Sequence, residues 1–211
     1  RAGRLDEAAN VLAHALSQDP SCGQAYLELG RLHGSRGQED ESITAFRQAL
    51  AARADDGSLY RHLAHELAKT EDTALTMQAL DAALHAEPSD AALHFLAGAL
   101  AERQGDLATA RRAYEQAVSL AATRVEYAEK LGALLLTLGE PTPAIDVLIR
   151  AVALNPGRAE NHFQLGMAYE QAGQLSEALA ELKSAVRLSP QNGRYQREMA
   201  VVMLAMDDRV G

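Results

Sequence analysis

The chain has 211 residues, of which 42 are alanine and 31 are leucine, so two strong helix formers supply about a third of it. Its hydrophobic fraction of 47% excludes a disordered chain, and the lack of alternating Val, Ile and Thr runs argues against a β fold. The net charge of −9 argues against partners that require a basic surface, namely nucleic acid and anionic membranes.

Two further features bear on the compartment. The longest apolar stretch, around Leu134–Leu136, is far shorter than the roughly 20 residues of a membrane span, so no membrane insertion is expected. The single cysteine, Cys22, cannot form an intramolecular disulfide, so the fold does not depend on an oxidising compartment. These features favour the cytoplasm weakly, and nothing else in the sequence indicates a location.

The chain repeats with a period of 34 residues from Gly3 to Ala200, without insertion or deletion. In chain order the period predicts a half repeat, five full repeats and a terminal helix, over residues 1–22, 23–56, 57–90, 91–124, 125–158, 159–192 and 193–206. Because the chain starts on the second helix of a pair and its last helix is unusually apolar, we expect a fragment of a longer protein.

Two sets of equivalent positions predict a pair of antiparallel helices in each repeat. One position of the first helix is always small, which lets the second helix approach closely; it is Gly30, Ala64, Gly98, Gly132, Gly166 and Ala200. A large apolar residue and an alanine three residues later share one face of the second helix. These pairs are Leu12 and Ala15, Phe46 and Ala49, Leu80 and Ala83, Tyr114 and Ala117, Leu148 and Ala151, and Leu182 and Ala185.

The turn inside each repeat has its own signature. Four of the five full repeats carry a glycine there, at Gly37, Gly105, Gly139 and Gly173, and glycine is the residue that accepts a positive φ at a helix end. Glu71 replaces this glycine in the repeat 57–90, which predicts a longer or strained turn between its two helices.

These motifs resemble the tetratricopeptide repeat family, which has the same period. The repeat 159–192 is most similar, with the sequence LGMAY at residues 165–169, Ala178 and Leu182 in its second helix, and Pro190 near its end. The resemblance covers essentially the whole chain. It implies an all-α fold, a right-handed α-solenoid of antiparallel helix pairs, which acts as a protein-interaction scaffold or adaptor. In that family the first helices line a concave groove that holds a peptide or a partner segment.

Projecting the groove positions of that family onto this chain gives the candidate partner-binding residues. In chain order they are Leu27, Arg31, Arg61, His65, Lys69, Phe95, Glu102, Arg103, Glu129, Leu136, Phe163, Met167, Glu170 and Val201. The same projection also includes Ala133, Thr137, Gln171 and Arg194.

The order of these residues suggests how a partner binds. The basic residues come early and the acidic residues late, which predicts that the two ends of the groove receive acidic and basic parts of a partner, respectively. Phe95, Phe163 and Met167 are candidate apolar anchors. For the two phenylalanines, packing into the seams between repeats is an equally good interpretation.

No catalytic, cofactor-binding or metal-binding residue is predicted, and we expect that this segment is not an enzyme. The chain lacks the phosphate-binding glycine motifs, the zinc-helix motif HExxH and the nucleophile motif GxSxG. His62 and His65 share a helix face, but no third ligand follows at a suitable spacing.

Two other functions stay open. The repeats could form the regulatory or substrate-recruiting arm of an enzyme whose catalytic domain lies outside this segment. They could also associate with a second copy through the terminal helices, with Met203 and Met206 contacting the bare face of the first helix. In each case the partner is a protein or a peptide.

Overall fold

A computed structural model of the chain describes the backbone of residues 2–52 and 56–207, and the side chains of residues 5–52 and 56–207. Within these residues the chain forms twelve α-helices and no strand, which confirms the predicted all-α class. The helices are α1 Ala2–Gln18, α2 Gly23–Ser35, α3 Glu39–Ala51, α4 Gly57–Leu67, α5 Thr73–Ala86, α6 Ala91–Arg103, α7 Leu107–Leu120, α8 Val125–Thr137, α9 Pro141–Leu154, α10 Ala159–Gln171, α11 Leu175–Leu188 and α12 Gly193–Asp207.

The chain divides into two compact units, unit 1 (Arg1–Leu100) and unit 2 (Ala101–Gly211). In unit 1, α2 packs against α3 and α4 against α5. In unit 2, α8 packs against α9 and α10 against α11, while α12 packs against α11. Consecutive helices joined by short turns run antiparallel, so each unit is a stack of helix pairs.

The small position of the first helix allows close helix packing. A methyl group added to Gly132 would lie 2.5 Å from Leu148 Cδ2, and one added to Gly166 would lie 2.8 Å from Leu182 Cγ. Both distances are too short for a real carbon contact, so a larger residue would push the helices apart. The small and large positions identified in the sequence therefore face each other across each pair.

The turn glycines have the backbone conformation that their position predicts. Gly37, Gly105, Gly139 and Gly173 all have φ between 70° and 80°. The residue after each glycine donates its backbone N–H to a carbonyl near the end of the first helix, as Gln38 does to His33 at 3.0 Å. This is the bonding pattern of a helix that ends in a left-handed residue.

The turn at Glu71 is longer, as the missing glycine predicts. Residues 68–72 connect α4 to α5, whereas residues 36–38 connect α2 to α3. The Leu67 carbonyl, near the end of α4, accepts the hydroxyls of Thr70 at 2.8 Å and Thr76 at 3.1 Å. Asp72 N donates to Thr70 Oγ1 at 3.3 Å. Side-chain oxygens thus replace the glycine turn.

Candidate functional site

The first-helix face of unit 1 carries cations that are already paired with carboxylates. Arg31 Nη1 lies 2.8 Å from Glu28 Oε1, and Arg31 Nε lies 3.1 Å from Glu66 Oε1. Lys69 Nζ lies 2.7 Å from the second oxygen of Glu66. Two of the predicted basic residues therefore share one carboxylate.

Arg61 is held in the same way. Its guanidinium contacts Glu87, and its Nε lies 2.8 Å from Asp90 Oδ2. Asp90 also caps α6, because its carboxylate accepts the backbone N–H of Ala92 at 2.8 Å. The sequence projection missed these carboxylates. A signal was available for Glu28 and Glu66, since each lies three residues from its partner on the same helix.

These pairs lower the free charge of the predicted basic end. Burial alone would raise the pKa of Glu66, but hydrogen bonds and charge from Lys69 and Arg31 bring that pKa below its ordinary value. His65, next to Glu66 in the chain, is exposed; partial desolvation and nearby cations lower its pKa. The face is a network of paired ions, which corrects the expectation of a basic stretch open to a partner.

Leu27 requires a second correction. Its side chain is fully buried in the core of unit 1, together with Leu59 and Leu63. It packs between helices and presents no surface to a partner. Phe95 is half-buried.

Unit 2 holds an apolar cavity between its first helices. The cavity has a volume of about 380 Å³, within the range of roughly 300–1,000 Å³ typical of protein ligand pockets. It is lined by Ala133, Leu136 and Thr137 of α8, by Phe163, Gln164, Met167 and Gln171 of α10, and by Arg194 of α12. All but Gln164 belong to the projected groove positions. We call this set the unit 2 pocket.

Phe163 forms the base of the unit 2 pocket and is 1% exposed. Its ring stacks on Tyr195 with centroids 4.8 Å apart, and the Arg194 guanidinium lies 4.2 Å from the centre of its ring. Packing between repeats is therefore the better interpretation of Phe163. The sequence could not decide this because both covering residues come from the next helix pair.

Arg194 is the charged group at the rim of the unit 2 pocket. Half of its side chain or more is exposed, and its Nη1 lies 3.7 Å from Glu160 Oε1, a long ion-pair distance. Glu160 itself is fixed by the Tyr195 hydroxyl, which donates to its second oxygen at 2.7 Å. The guanidinium can therefore turn toward a bound carboxylate while Glu160 keeps another partner.

Most of the acidic candidates in unit 2 also have partners within the chain. Glu129 is buried, with Arg158 Nε 3.0 Å from its Oε1, and burial raises its pKa despite that cation. Glu102 accepts the Tyr114 hydroxyl at 2.7 Å. Burial and the nearby charge of Glu198 raise the pKa of Glu170. The acidic end is thus weaker in charge than the sequence suggested.

The other two candidates lie at the margins. Arg103 is exposed at the end of α6, and Val201 is 43% exposed on α12. Among the residues the structure describes, no cluster of three or more His, Cys, Asp or Glu side chains could hold a metal ion. Over the same part of the chain, no helix combines the length and the apolar character needed to cross a membrane.

Comparison with known proteins identifies the fold. Two family models described as tetratricopeptide repeat match the chain, one over residues 1–69 and 135–202 and the other over residues 63–124. No curated protein sequence matches the chain.

Several solved structures share the fold. YrrB, described as a TPR protein with an unusual peptide-binding site, has a TM-score of 0.75 at 17% identity, covering 89% of this chain and 96% of that chain. MamA has a TM-score of 0.71 at 20% identity, covering 82% and 94%. MamA from Desulfovibrio magneticus RS-1 has a TM-score of 0.67 at 23% identity, covering 74% and 88%. At these identities the similarity shows the fold alone.

These matches confirm the predicted α-solenoid of antiparallel helix pairs. The fold generally serves as a scaffold for protein interactions, and proteins built from it are generally not catalysts. With matches along both units, the chain belongs to the tetratricopeptide repeat family.

Proposed function

We propose that this chain binds a peptide segment of a partner protein in the unit 2 pocket. The observation that carries the proposal is that first-helix positions far apart in the sequence, in α8, α10 and α12, converge on one apolar cavity. Leu136 and Met167 form its walls above the buried ring of Phe163. An apolar side chain of the partner fits between them.

The rim of the unit 2 pocket adds polarity. The guanidinium of Arg194 is exposed beside the cavity, and its neutralisation by Glu160 is incomplete at 3.7 Å. Gln164 and Gln171 are amides that can bond to the backbone of an extended peptide. We infer a ligand with one apolar anchor next to an acidic residue, a charge-assisted contact for Arg194.

The same reasoning disfavours unit 1 as the main contact. A partner carboxylate would have to displace Glu66 or Asp90 from Arg31, Lys69 or Arg61, and exchanging one ion pair for another gains little free energy. YrrB, which shares the fold, is described as having a peptide-binding site, which supports peptide binding by such a stack.

The proposal is tested by selecting binders from a phage-displayed random peptide library and measuring one selected peptide by fluorescence polarisation. We expect the selected sequences to pair a Leu, Met or Phe with Asp or Glu. Met167→Glu should weaken binding at least about tenfold, because it places a charge in the apolar cavity. Arg194→Gln should weaken acidic peptides more than their amide counterparts.

Ile149→Glu is the matched control, because Ile149 is an equally apolar side chain that is 45% exposed on α9 and does not line the pocket. It should bind the peptide as the wild type does. Circular dichroism confirms that each variant is folded. Unchanged affinity in Met167→Glu, or a library that yields no binder, would contradict the proposal.

A further inference from the structure

The face of α1 that corresponds to the helix-pair interface is uncovered. In the other five second helices the large apolar position is at most 4% exposed: Phe46, Leu80, Tyr114, Leu148 and Leu182. Its equivalent in α1, Leu12, is only half-buried, and Ala8 on the same face is exposed. The neighbouring Val11 is 64% exposed.

A cavity of about 690 Å³ lies along this face. Ala8, Val11 and Leu12 of α1 form one side, and Glu28 and Leu32 of α2 form the other. In the other repeats, the positions equivalent to Ala8 are covered by a first helix; they are Ser42, Thr76, Ala110, Ala144 and Ala178, all buried. The cavity therefore has the place and the lining of a site for a first helix.

The opposite half of the same interface is uncovered on α12. Ala200 occupies the small position and is exposed, whereas Gly30, Ala64, Gly132 and Gly166 are buried. Met203 and Leu204 are 50% and 68% exposed. The position of Met203 is buried in α4, α6 and α8, where it is Leu67, Ala101 and Leu135.

The repeat register fits these two faces to each other. Within single repeats the small position packs on the large one, as Gly132 does on Leu148 and Gly166 on Leu182. Ala200 and Leu12 are the corresponding small and large residues on the two uncovered faces. We propose that α12 of one copy packs on α1 of a second copy and forms an intermolecular helix pair with the geometry of the pairs inside each unit.

This contact joins two different surfaces. Each added copy leaves one α1 face and one α12 face uncovered, so association is head-to-tail and is not limited to a dimer. One helix pair is a small interface, so we expect association at micromolar rather than nanomolar concentrations. The contact uses no residue of the unit 2 pocket, and it can fail or hold independently of peptide binding.

The test measures molar mass by sedimentation velocity over a concentration series. The wild type should grow beyond its 22.6 kDa monomer as its concentration rises. Leu204→Glu and Val11→Glu should each remain monomeric, because a buried unpaired carboxylate opposes the contact. Ile149→Glu should associate as the wild type does, and circular dichroism should show all three variants folded.

Mixing the two monomeric variants gives the sharpest result. Val11→Glu keeps an intact α12 face and Leu204→Glu keeps an intact α1 face, so an equimolar mixture should form a dimer and stop there. A wild type that stays monomeric at every concentration would overturn the proposal. So would variants that associate like the wild type, or a mixture that stays monomeric.

Discussion

The two units use the same repeat positions for their first-helix faces but give them different chemistry. In unit 1 these positions carry Arg31, Arg61 and Lys69, each bound to a carboxylate of the same unit. In unit 2 they carry Leu136, Phe163 and Met167, which surround a cavity with an arginine at its rim. A charge read from the sequence is available to a partner only where the fold leaves it unpaired.

The comparison also separates side chains that support the face from those that form its surface. Leu27 in unit 1 and Phe163 in unit 2 both come from groove positions, yet both are buried. Met167 and Leu136 are partly exposed in the unit 2 pocket. The apolar surface of unit 2 is thus held in place by a buried aromatic pair beneath it.

The largest expected effect concerns these buried residues. Phe163→Ala should lower the free energy of unfolding by about 3–5 kcal/mol, and Leu27→Ala by about 2–5 kcal/mol, because each leaves a cavity in a packed core. Val201→Ala, at a groove position that is 43% exposed, should change it by less than about 0.5 kcal/mol. Urea unfolding monitored by circular dichroism gives all three values. A Phe163→Ala variant as stable as Val201→Ala would show that the ring is not a core residue.

A smaller effect separates the acids of the two units by their pH dependence. The pKa of Glu66 is lowered in the folded state, so its contribution to stability is present above its unfolded pKa and is lost as the pH falls through the folded pKa. The pKa of Glu129 is raised, so stability instead falls as the pH rises from its unfolded to its folded pKa.

Urea unfolding of Glu66→Gln and Glu129→Gln between pH 3 and pH 7 measures this difference. Relative to the wild type, Glu66→Gln should lose stability near neutral pH, by less than about 1 kcal/mol, and should approach the wild type in acid. The stability of Glu129→Gln relative to the wild type should change with pH in the opposite direction. Parallel pH profiles for the two variants would contradict the assigned ion pairs.

The fold was predictable because the repeat leaves one physical solution at each position. Gly132 and Leu148 had to face each other across a close helix pair, and Gly139 had to turn with a positive φ. Even the exception was readable, since Glu71 cannot take the place of a turn glycine without a longer connection.

The chemistry of the site was predictable only in part. Periodicity brings Leu136, Met167 and Arg194 to one face, and the structure places all three around the unit 2 pocket. It does not reveal side-chain partners, because the reach of Glu66 to Arg31 depends on rotamers and on how neighbouring pairs are rotated. The burial of Phe163 likewise depends on Tyr195, which belongs to the next pair.

The most direct test of the central claim is methyl NMR on the chain labelled at its five methionines. Met167 reports on the unit 2 pocket, and Met77 reports on α5 of unit 1. Adding a library-selected peptide should shift and broaden the Met167 methyl signal and leave that of Met77 in place. A peptide that binds but leaves the Met167 signal unchanged would contradict the assignment of the unit 2 pocket as the partner site.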